Sequence, residues 1–185
     1  MPRWALALPL IVVVAAVATG AALITFNRST RTVSVTGGVA AVGRAAPTFS
    51  TWDLNGKKVS LGDFKGRPVL ITFWATWCTA CQEELPAIQR IRDGNQSEGL
   101  SVLAVNYRET DNGRMRAYLS GLHVDLEAVV DPDATIASAY GVDVGLPVVV
   151  LVDRSARVAQ ILIGAQPSAA LEAAVARVVG AAAPP

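Results

Sequence analysis

The feature that most constrains the fold is an apolar run that leads directly into a pair of cysteines. Residues Val69 to Ala75 are apolar except for Thr72, and Cys78 and Cys81 follow at once. A short continuous apolar run is typical of a strand that is covered on both faces of a sheet. Beyond Cys78, apolar residues recur at three-residue spacing, which indicates a helix. The sequence therefore predicts a central strand followed by a helix that begins at the cysteines.

Strands and helices alternate through the rest of this part of the chain. Asn55-Gly56 lies between two alternating segments and predicts a β-hairpin, because both residues tolerate positive φ. Pro86 predicts a kink in the helix after the cysteines, and Ser168 is predicted as the N-cap of the last helix. Strands are also predicted at 100–105, 126–130, 148–152 and 157–163, and helices at 80–92, 114–122, 133–140 and 168–179. This order predicts an α/β fold with an N-terminal β-hairpin and a central mixed sheet flanked by helices.

The amino terminus has a different composition from the rest. The segment from Trp4 to Phe26 carries no charge and is flanked by Arg3 and Arg28. About 20 apolar residues are enough to cross a bilayer as a helix. The sequence therefore predicts one transmembrane helix, an uncleaved signal anchor, within residues 1–27. A cleaved signal peptide and a buried helix of a soluble protein are the alternatives.

The predicted anchor divides the chain into regions. Residues 28–45 are predicted to be a tether, 46–180 a folded domain, and 181–185 a disordered tail. The basic residues on the two sides of the apolar run are nearly balanced and do not fix its orientation. A very short N-terminal flank before a large C-terminal domain predicts that the domain lies on the extracytoplasmic side of a single-pass membrane protein. If the signal is cleaved, we expect a secreted protein.

The charge balance restricts the class of partner. The chain has 16 Lys and Arg residues against 15 Asp and Glu residues. Proteins that bind nucleic acid usually present a strongly basic face, so no nucleic-acid partner is expected.

The two cysteines admit four interpretations. A zinc site needs about four ligands, and the chain adds only His123 to the two thiols. A structural disulfide across so small a loop removes little entropy from the unfolded chain, and two unrelated buried thiols are the third possibility. A redox dithiol explains the placement, because a helix N-terminus stabilises a thiolate. It makes Cys78 the nucleophile and Cys81 the resolving thiol, with no metal or other cofactor.

The segment from Phe73 to Pro86 resembles the active-site segment of membrane-anchored thioredoxin-like proteins of the TlpA/ResA type, in the redoxin (AhpC/TSA) superfamily. The resemblance extends over about residues 45–178. It implies a thioredoxin-like fold and a bacterial thiol-disulfide oxidoreductase that reduces protein disulfides, for example in cytochrome c maturation. The implied partners are protein substrates, such as apocytochrome c, and a membrane dithiol that donates electrons.

The resemblance also implies roles for individual residues. It makes Cys78 and Cys81 the redox pair and Pro147 a cis-proline opposite them. A cis bond would expose the backbone of Leu146 for pairing with a partner peptide, whereas an ordinary trans proline that begins a strand is the alternative. Trp77 is expected to flank the thiol and shape the substrate-binding surface.

A carboxyl group is the expected proton carrier. Glu84 matches an acidic residue of the family three positions after the second cysteine, and a partly buried carboxyl there can exchange protons with Cys81. A solvent-facing residue, the role expected for Glu83, is the alternative. Thr72 stands where cytosolic thioredoxins carry a buried aspartate, which leaves Glu84 as the candidate base.

Three other functions compete with a reductase. A thiol oxidase would use the same dithiol in the opposite direction. A redoxin-type peroxidase would need a threonine three residues before its reactive cysteine, but Ala75 holds that position relative to Cys78. A non-enzymatic metal or apoprotein chaperone is weakened by the presence of only one His and two Met.

Overall fold

The computed structural model of the protein describes residues 31–181, so the predicted signal anchor lies outside the described residues, as do residues 182–185 of the predicted tail. In this described range, no helix combines the length and apolar character that a membrane span requires. The strands are β1 Ser34–Thr36, β2 Thr48–Trp52, β3 Lys58–Ser60, β4 Val69–Trp74, β5 Ser101–Tyr107, β6 Glu127–Asp131, β7 Val148–Val152 and β8 Val158–Ile163. The helices are α1 Thr79–Gly94, α2 Asn112–Gly121, α3 Thr135–Ala139 and α4 Ser168–Val179, with a 3-10 helix at Leu61–Phe64.

The larger sheet has five strands in the order β6-β5-β4-β7-β8. β4 and β6 run parallel to β5, whereas β7 is antiparallel to both β4 and β8. β4 occupies the centre, and every residue in it is buried, as its uninterrupted apolar sequence predicts. The predicted mixed sheet with flanking helices is therefore confirmed.

A smaller antiparallel sheet of three strands, β1-β2-β3, packs beside the larger one. β2 and β3 pair across the Asn55-Gly56 turn, where Gly56 has a φ of 89°. The carboxylate of Asp53 accepts hydrogen bonds from the backbone N–H groups of Asn55 and Lys57 at 2.9 and 2.7 Å. The Asp53 side chain thus provides the acceptors for two backbone N–H groups of the turn. The predicted hairpin is confirmed.

The larger sheet separates two apolar cores. One core lies between the sheet and α1, α2 and α4, and the other between the sheet and α3, the 3-10 helix and the smaller sheet. Successive residues of a strand point to opposite faces. Leu70 and Ile71 accordingly enter different cores, and both are completely buried. A strand between two cores has no polar face, which explains the absence of alternation in this run.

The folded unit begins earlier in the chain than the sequence predicts. Residues 28–45 were predicted to be a tether, but β1 lies inside that range and pairs with β2. The N–H of Ala40 donates to the carbonyl of Ala139 at 2.8 Å, and the N–H of Gly43 donates to the carbonyl of Val158 at 2.8 Å. The compact unit extends back to Val33. Three residues are too few to show a strand pattern, and β1 forms because β2 offers a free edge.

The starts of α4 and α3 are satisfied in different ways. Ser168 is the first residue of α4 and not its N-cap, because Pro167 occupies the cap position. The carboxylate of Asp131 at the end of β6 accepts hydrogen bonds from the N–H groups of Ile136 and Ala137 at 3.0 and 2.8 Å, and so satisfies the start of α3. Pro86 lies inside α1, and α1 continues past it to Gly94. The predicted kink at Pro86 stays a prediction.

Removal of the buried hydroxyl of Tyr140 tests the contact that holds the chain around Pro47. The hydroxyl of Tyr140 donates to the carbonyl of Pro47 at 2.7 Å, and the residue is 1% exposed. Tyr140→Phe leaves that carbonyl without a partner and should lower the free energy of unfolding by about 1 to 2 kcal/mol. Urea denaturation measures this loss.

Tyr118→Phe is the matched control. Its hydroxyl is buried and has no hydrogen-bond partner among residues 31–181, so its removal should leave the stability within about 0.5 kcal/mol of the wild type. Equal losses in the two variants would show that the bond to Pro47 contributes nothing.

Candidate active site

The cysteine pair lies where the central strand passes into α1. β4 ends at Trp74, the N–H of Cys78 donates to the carbonyl of Ala75 at 3.1 Å, and Cys78 is the N-cap of α1. The sulfur of Cys78 accepts a hydrogen bond from the N–H of Cys81 at 3.2 Å. Sγ of Cys78 thus occupies the position of a helix cap, where free N–H groups and the helix dipole stabilise a negative charge. A thiolate formed at Cys78 has its stabilising partner in place.

The two sulfurs form a disulfide and differ in access. The S–S bond is 2.03 Å long, and the Cα atoms are 5.3 Å apart. Cys78 is 6% exposed, whereas Cys81 is 1% exposed and lies one turn inside α1. A partner can reach Sγ of Cys78 more easily than that of Cys81. This arrangement agrees with the predicted roles of nucleophile and resolving thiol.

Glu84 is buried on the same side of α1 as Cys81. It follows Cys81 by three residues, a spacing that brings side chains together on a helix, and it is 4% exposed, whereas Glu83 is exposed. Its Oε1 accepts a hydrogen bond from the N–H of Gln166 at 3.2 Å, and its Oε2 has no partner within residues 31–181. The solvent-facing alternative for Glu84 is therefore wrong.

Burial changes the acidity of this carboxyl group. Loss of hydration raises the pKa of Glu84 above its ordinary value, and the single backbone hydrogen bond from Gln166 offsets only part of that effect. Thr72, the residue that replaces the aspartate of cytosolic thioredoxins, is 1% exposed and cannot ionise. Glu84 thus supplies the buried carboxyl on the helix that carries the cysteines.

The predicted docking residues lie at the neighbouring strand. Phe73 of β4 pairs with Val148 of β7, so Pro147 lies opposite the last residue of β4. The Leu146–Pro147 peptide bond is cis, as the resemblance implied. Leu146 is half-buried, and neither its N–H nor its carbonyl takes part in a hydrogen bond within residues 31–181. The role of these two residues in substrate binding stays a prediction.

An exposed apolar rim surrounds this end of the sheet. Trp77, next to the nucleophile, is 60% exposed, and its ring meets that of Tyr107 edge-on at 6.5 Å. Ile163, which pairs with Val148, and Val144, in the loop before Pro147, are also largely exposed. Trp74, by contrast, is completely buried and stacks on Tyr118. Trp77 therefore has the access that its predicted substrate-binding role requires.

A second carboxyl group near the cysteines was not predicted from the sequence. Glu109 follows β5 and accepts hydrogen bonds from the N–H of Thr76 at 2.8 Å and from its hydroxyl. It also accepts one from the side-chain amide of Asn106 at 2.7 Å. Burial alone would raise the pKa of Glu109, but these bonds and the charge of Arg114 hold it below the ordinary value. The one sequence signal was an acidic residue beyond the carboxyl end of a parallel strand.

Residues 31–181 contain no group of three or more His, Cys, Asp or Glu side chains placed to hold a metal ion. The chemistry supported by this arrangement is thiol-disulfide exchange at Cys78 and Cys81. The role of Glu84 as a proton carrier stays a prediction.

The stability of the oxidised protein should depend on the titration of Glu84. The pKa of Glu84 is higher in the folded than in the unfolded protein, so stability falls as the pH rises from the ordinary pKa of glutamate, about 4.3, through the raised value. Glu84→Gln removes this titration. Its free energy of unfolding, measured in urea at a series of pH values, should therefore fall less steeply with pH than that of the wild type.

Glu83→Gln is the matched control, since it changes an exposed neighbour on the same helix. The buried carboxyl of Asp131 also titrates, but it contributes equally to all three proteins. Identical pH profiles for Glu84→Gln and the wild type would contradict the raised pKa.

Comparisons with known proteins agree with this site. The model of the AhpC/TSA family matches residues 42–161. Two relatives are the thiol-disulfide oxidoreductases ResA of Bacillus thuringiensis subsp. konkukian and of Bacillus subtilis (strain 168). The first is 33% identical over 131 residues, which cover 71% of this chain and 75% of the relative, and the second is 32% identical over 122 residues, which cover 66% and 67%.

A solved structure of another protein has a similar fold. A putative thiol:disulfide interchange protein DsbE from Chlorobium tepidum superimposes with a TM-score of 0.71 and 29% sequence identity, over 76% of this chain and 99% of that protein. The chain therefore belongs to the AhpC/TSA family, and with the dithiol of Cys78 and Cys81 it is a thioredoxin-like thiol-disulfide oxidoreductase.

Proposed function

We propose that the protein reduces disulfide bonds in other extracytoplasmic proteins, with apocytochrome c among its substrates. One observation carries the proposal: a sulfur at the N-terminus of α1 and a buried carboxyl lie on the same helix. Sγ of Cys78 accepts the N–H of Cys81, and Glu84 lies one turn further along with one unpartnered oxygen among the described residues. The two halves of an exchange reaction, a stabilised thiolate and a proton acceptor, are thus close together.

The reaction begins with the reduced enzyme. The thiolate of Cys78 attacks one sulfur of the substrate disulfide, a mixed disulfide forms, and the other substrate sulfur leaves and takes a proton. The thiol of Cys81 then loses its proton to Glu84 and attacks Sγ of Cys78. The Cys78–Cys81 disulfide forms, and the second substrate thiol is released. The substrate gains two electrons and two protons: both electrons and one proton, passed from Cys81 through Glu84, come from the enzyme, and the proton taken by the first leaving sulfur comes from the solvent.

The surroundings of the cysteines favour the reducing direction. Strong oxidants of this fold owe their potential to a stabilised thiolate. Thr79 and Ala80, between the cysteines, carry no positive charge, and the carboxylate of Glu84 opposes a second negative charge nearby. The dithiol form is therefore less favoured than in a strong oxidase, and the enzyme gives up electrons more readily.

The surface around Cys78 suits a protein substrate. The unpaired backbone of Leu146 can pair with an extended partner segment in the manner of an added strand. Trp77, Val144 and Ile163 offer apolar contacts on either side. We infer that substrates present their disulfide in an extended segment with apolar neighbours.

The proposed location rests on the amino-terminal sequence. The uncharged segment from Trp4 to Phe26 supports a signal anchor that holds the domain on the extracytoplasmic side of a bacterial cell membrane. In that position the enzyme needs a supply of electrons, and a membrane dithiol that carries them from the cytoplasm is the partner with the matching chemistry. Secretion after cleavage of the segment is the alternative.

Trapping of the mixed disulfide tests the function. Cys81→Ala removes the resolving thiol, so the full-length protein should accumulate a covalent complex through Cys78 when cells are quenched with acid. Non-reducing electrophoresis of the membrane fraction, followed by mass spectrometry, identifies the partner.

Cys78→Ala is the control and should trap nothing. Capture of partners by Cys78→Ala alone would reverse the two roles, and a set of partners confined to the cytoplasm would contradict the proposed location.

The reduction potential tests the direction. We expect a value near that of thioredoxin, about −270 mV, and far from the value of about −120 mV that marks a strong oxidase. Equilibration of the full-length protein with glutathione or dithiothreitol buffers measures it. A potential near the oxidase value would refute the reducing direction and leave the exchange chemistry intact.

A further inference from the structure

We propose that Glu109 is a positioning residue of the dithiol site: its carboxylate fixes the turn that carries Cys78 and thereby keeps Sγ of Cys78 at the N-terminus of α1. The inference deepens the proposed function, since it concerns the same exchange reaction. It does not depend on whether the enzyme reduces or oxidises its substrates.

The turn between β4 and α1 has few bonds of its own. Residues 75–77 lie outside both elements, and the carbonyl of Ala75 accepts the N–H of Cys78. Both donors of Thr76, its N–H and its hydroxyl, are taken by the carboxylate of Glu109. Trp77 is largely exposed. Glu109 is thus the group that joins this turn to a part of the fold 33 residues away in the chain.

Glu109 is itself held from the core of the sheet. The side-chain amide of Asn106 donates to it at 2.7 Å, and Asn106 is completely buried at the end of β5. Asn106 pairs in register with Trp74, the last residue of β4. The contact therefore runs from the centre of the sheet through Asn106 and Glu109 to Thr76, two residues before the nucleophile. Such support from rigid elements is what fixes a reactive group in a productive geometry.

The geometry matches a carboxylate at this position. Three donors, from Asn106 and from the N–H and hydroxyl of Thr76, meet the two oxygens of Glu109. A carboxylate accepts from all three donors without rearrangement, whereas an amide would turn its NH₂ group toward one of them and would keep three bonds only if the Thr76 hydroxyl reversed and accepted. A hydroxyl in place of the carboxylate reaches one donor at most. The same bonds keep Glu109 ionised, in agreement with the lowered pKa.

Glu109 and Glu84 therefore do different work at one site. Burial raises the pKa of Glu84, which suits a group that takes up and releases a proton. Donors surround Glu109 and lower its pKa, which suits a fixed anion. Opposite shifts in two nearby carboxyl groups indicate a division of roles.

The consequence for the reaction is specific. The helix N-terminus stabilises the Cys78 thiolate only while the preceding turn holds Sγ against the N–H of Cys81. If Glu109 acts by position, its loss should raise the pKa of the Cys78 thiol and slow its attack. If Glu109 acts only as a nearby negative charge, its loss should lower that pKa. The sign of the shift separates the two mechanisms.

The experiment measures the reactivity of Cys78 directly. The reduced full-length protein carries Cys81→Ala so that Cys78 is the only thiol, and its alkylation by iodoacetamide is followed across the pH range. In this background Glu109→Gln should raise the apparent pKa of Cys78 and lower the alkylation rate at neutral pH by about tenfold to a hundredfold. A lowered or unchanged pKa would overturn the proposal.

Variants of the partner residue give a milder test in case Glu109→Gln folds poorly. Thr76→Ser keeps both donors and should retain the wild-type pKa and rate, whereas Thr76→Val loses the hydroxyl and should shift both in the same direction as Glu109→Gln. Equal behaviour of the serine and valine variants would contradict the proposed contact.

Glu83→Gln is the control for loss of an exposed negative charge and should leave the alkylation profile unchanged. A loss of stability in Glu109→Gln without any change in the alkylation profile would make Glu109 a structural residue only and overturn the proposal. Because alkylation needs no protein substrate, these outcomes are distinct from a failure of the proposed reductase function.

Discussion

The hydrogen bond from the N–H of Cys81 to Sγ of Cys78 is the interaction on which the rest of the site depends. It exists because β4 delivers the chain to the N-terminus of α1 from the centre of a sheet that is buried on both faces. A strand packed between two cores cannot tilt or slide without opening one of them. The position of the sulfur is therefore tied to the packing of the whole domain.

The sequence was sufficient wherever the local pattern and the tertiary environment agreed. β4 and β7 lie inside the sheet, and their continuous apolar sequences indicate this position. The turn between β2 and β3 contains Gly56, a residue type that accepts the positive φ found there. The spacing of the cysteines and their place at a strand-to-helix junction indicate a redox dithiol.

Other features depend on contacts that no local pattern contains. β1 is three residues long and forms only because β2 is adjacent. Glu83 and Glu84 are adjacent acidic residues, and the rotation of α1 against the sheet decides that Glu84 is the buried one. Glu109 lies between an arginine and a threonine in a polar stretch, and its partner Thr76 is 33 residues away. A single sequence carries little information about such pairings.

The first part of the folded domain, which includes residues 43–45, Thr51 and Leu54, covers part of both edges of the larger sheet. At β6 the N–H of Leu54 donates to the carbonyl of Ala128, and the hydroxyl of Thr51 donates to that of Val130. At the start of β8, backbone groups of residues 43–45 pair with those of Val158 and Arg157. Open edges invite other chains to add as strands and aggregate. With these edges partly occupied, another polypeptide finds fewer unpaired backbone groups at either edge to which it could add as a strand.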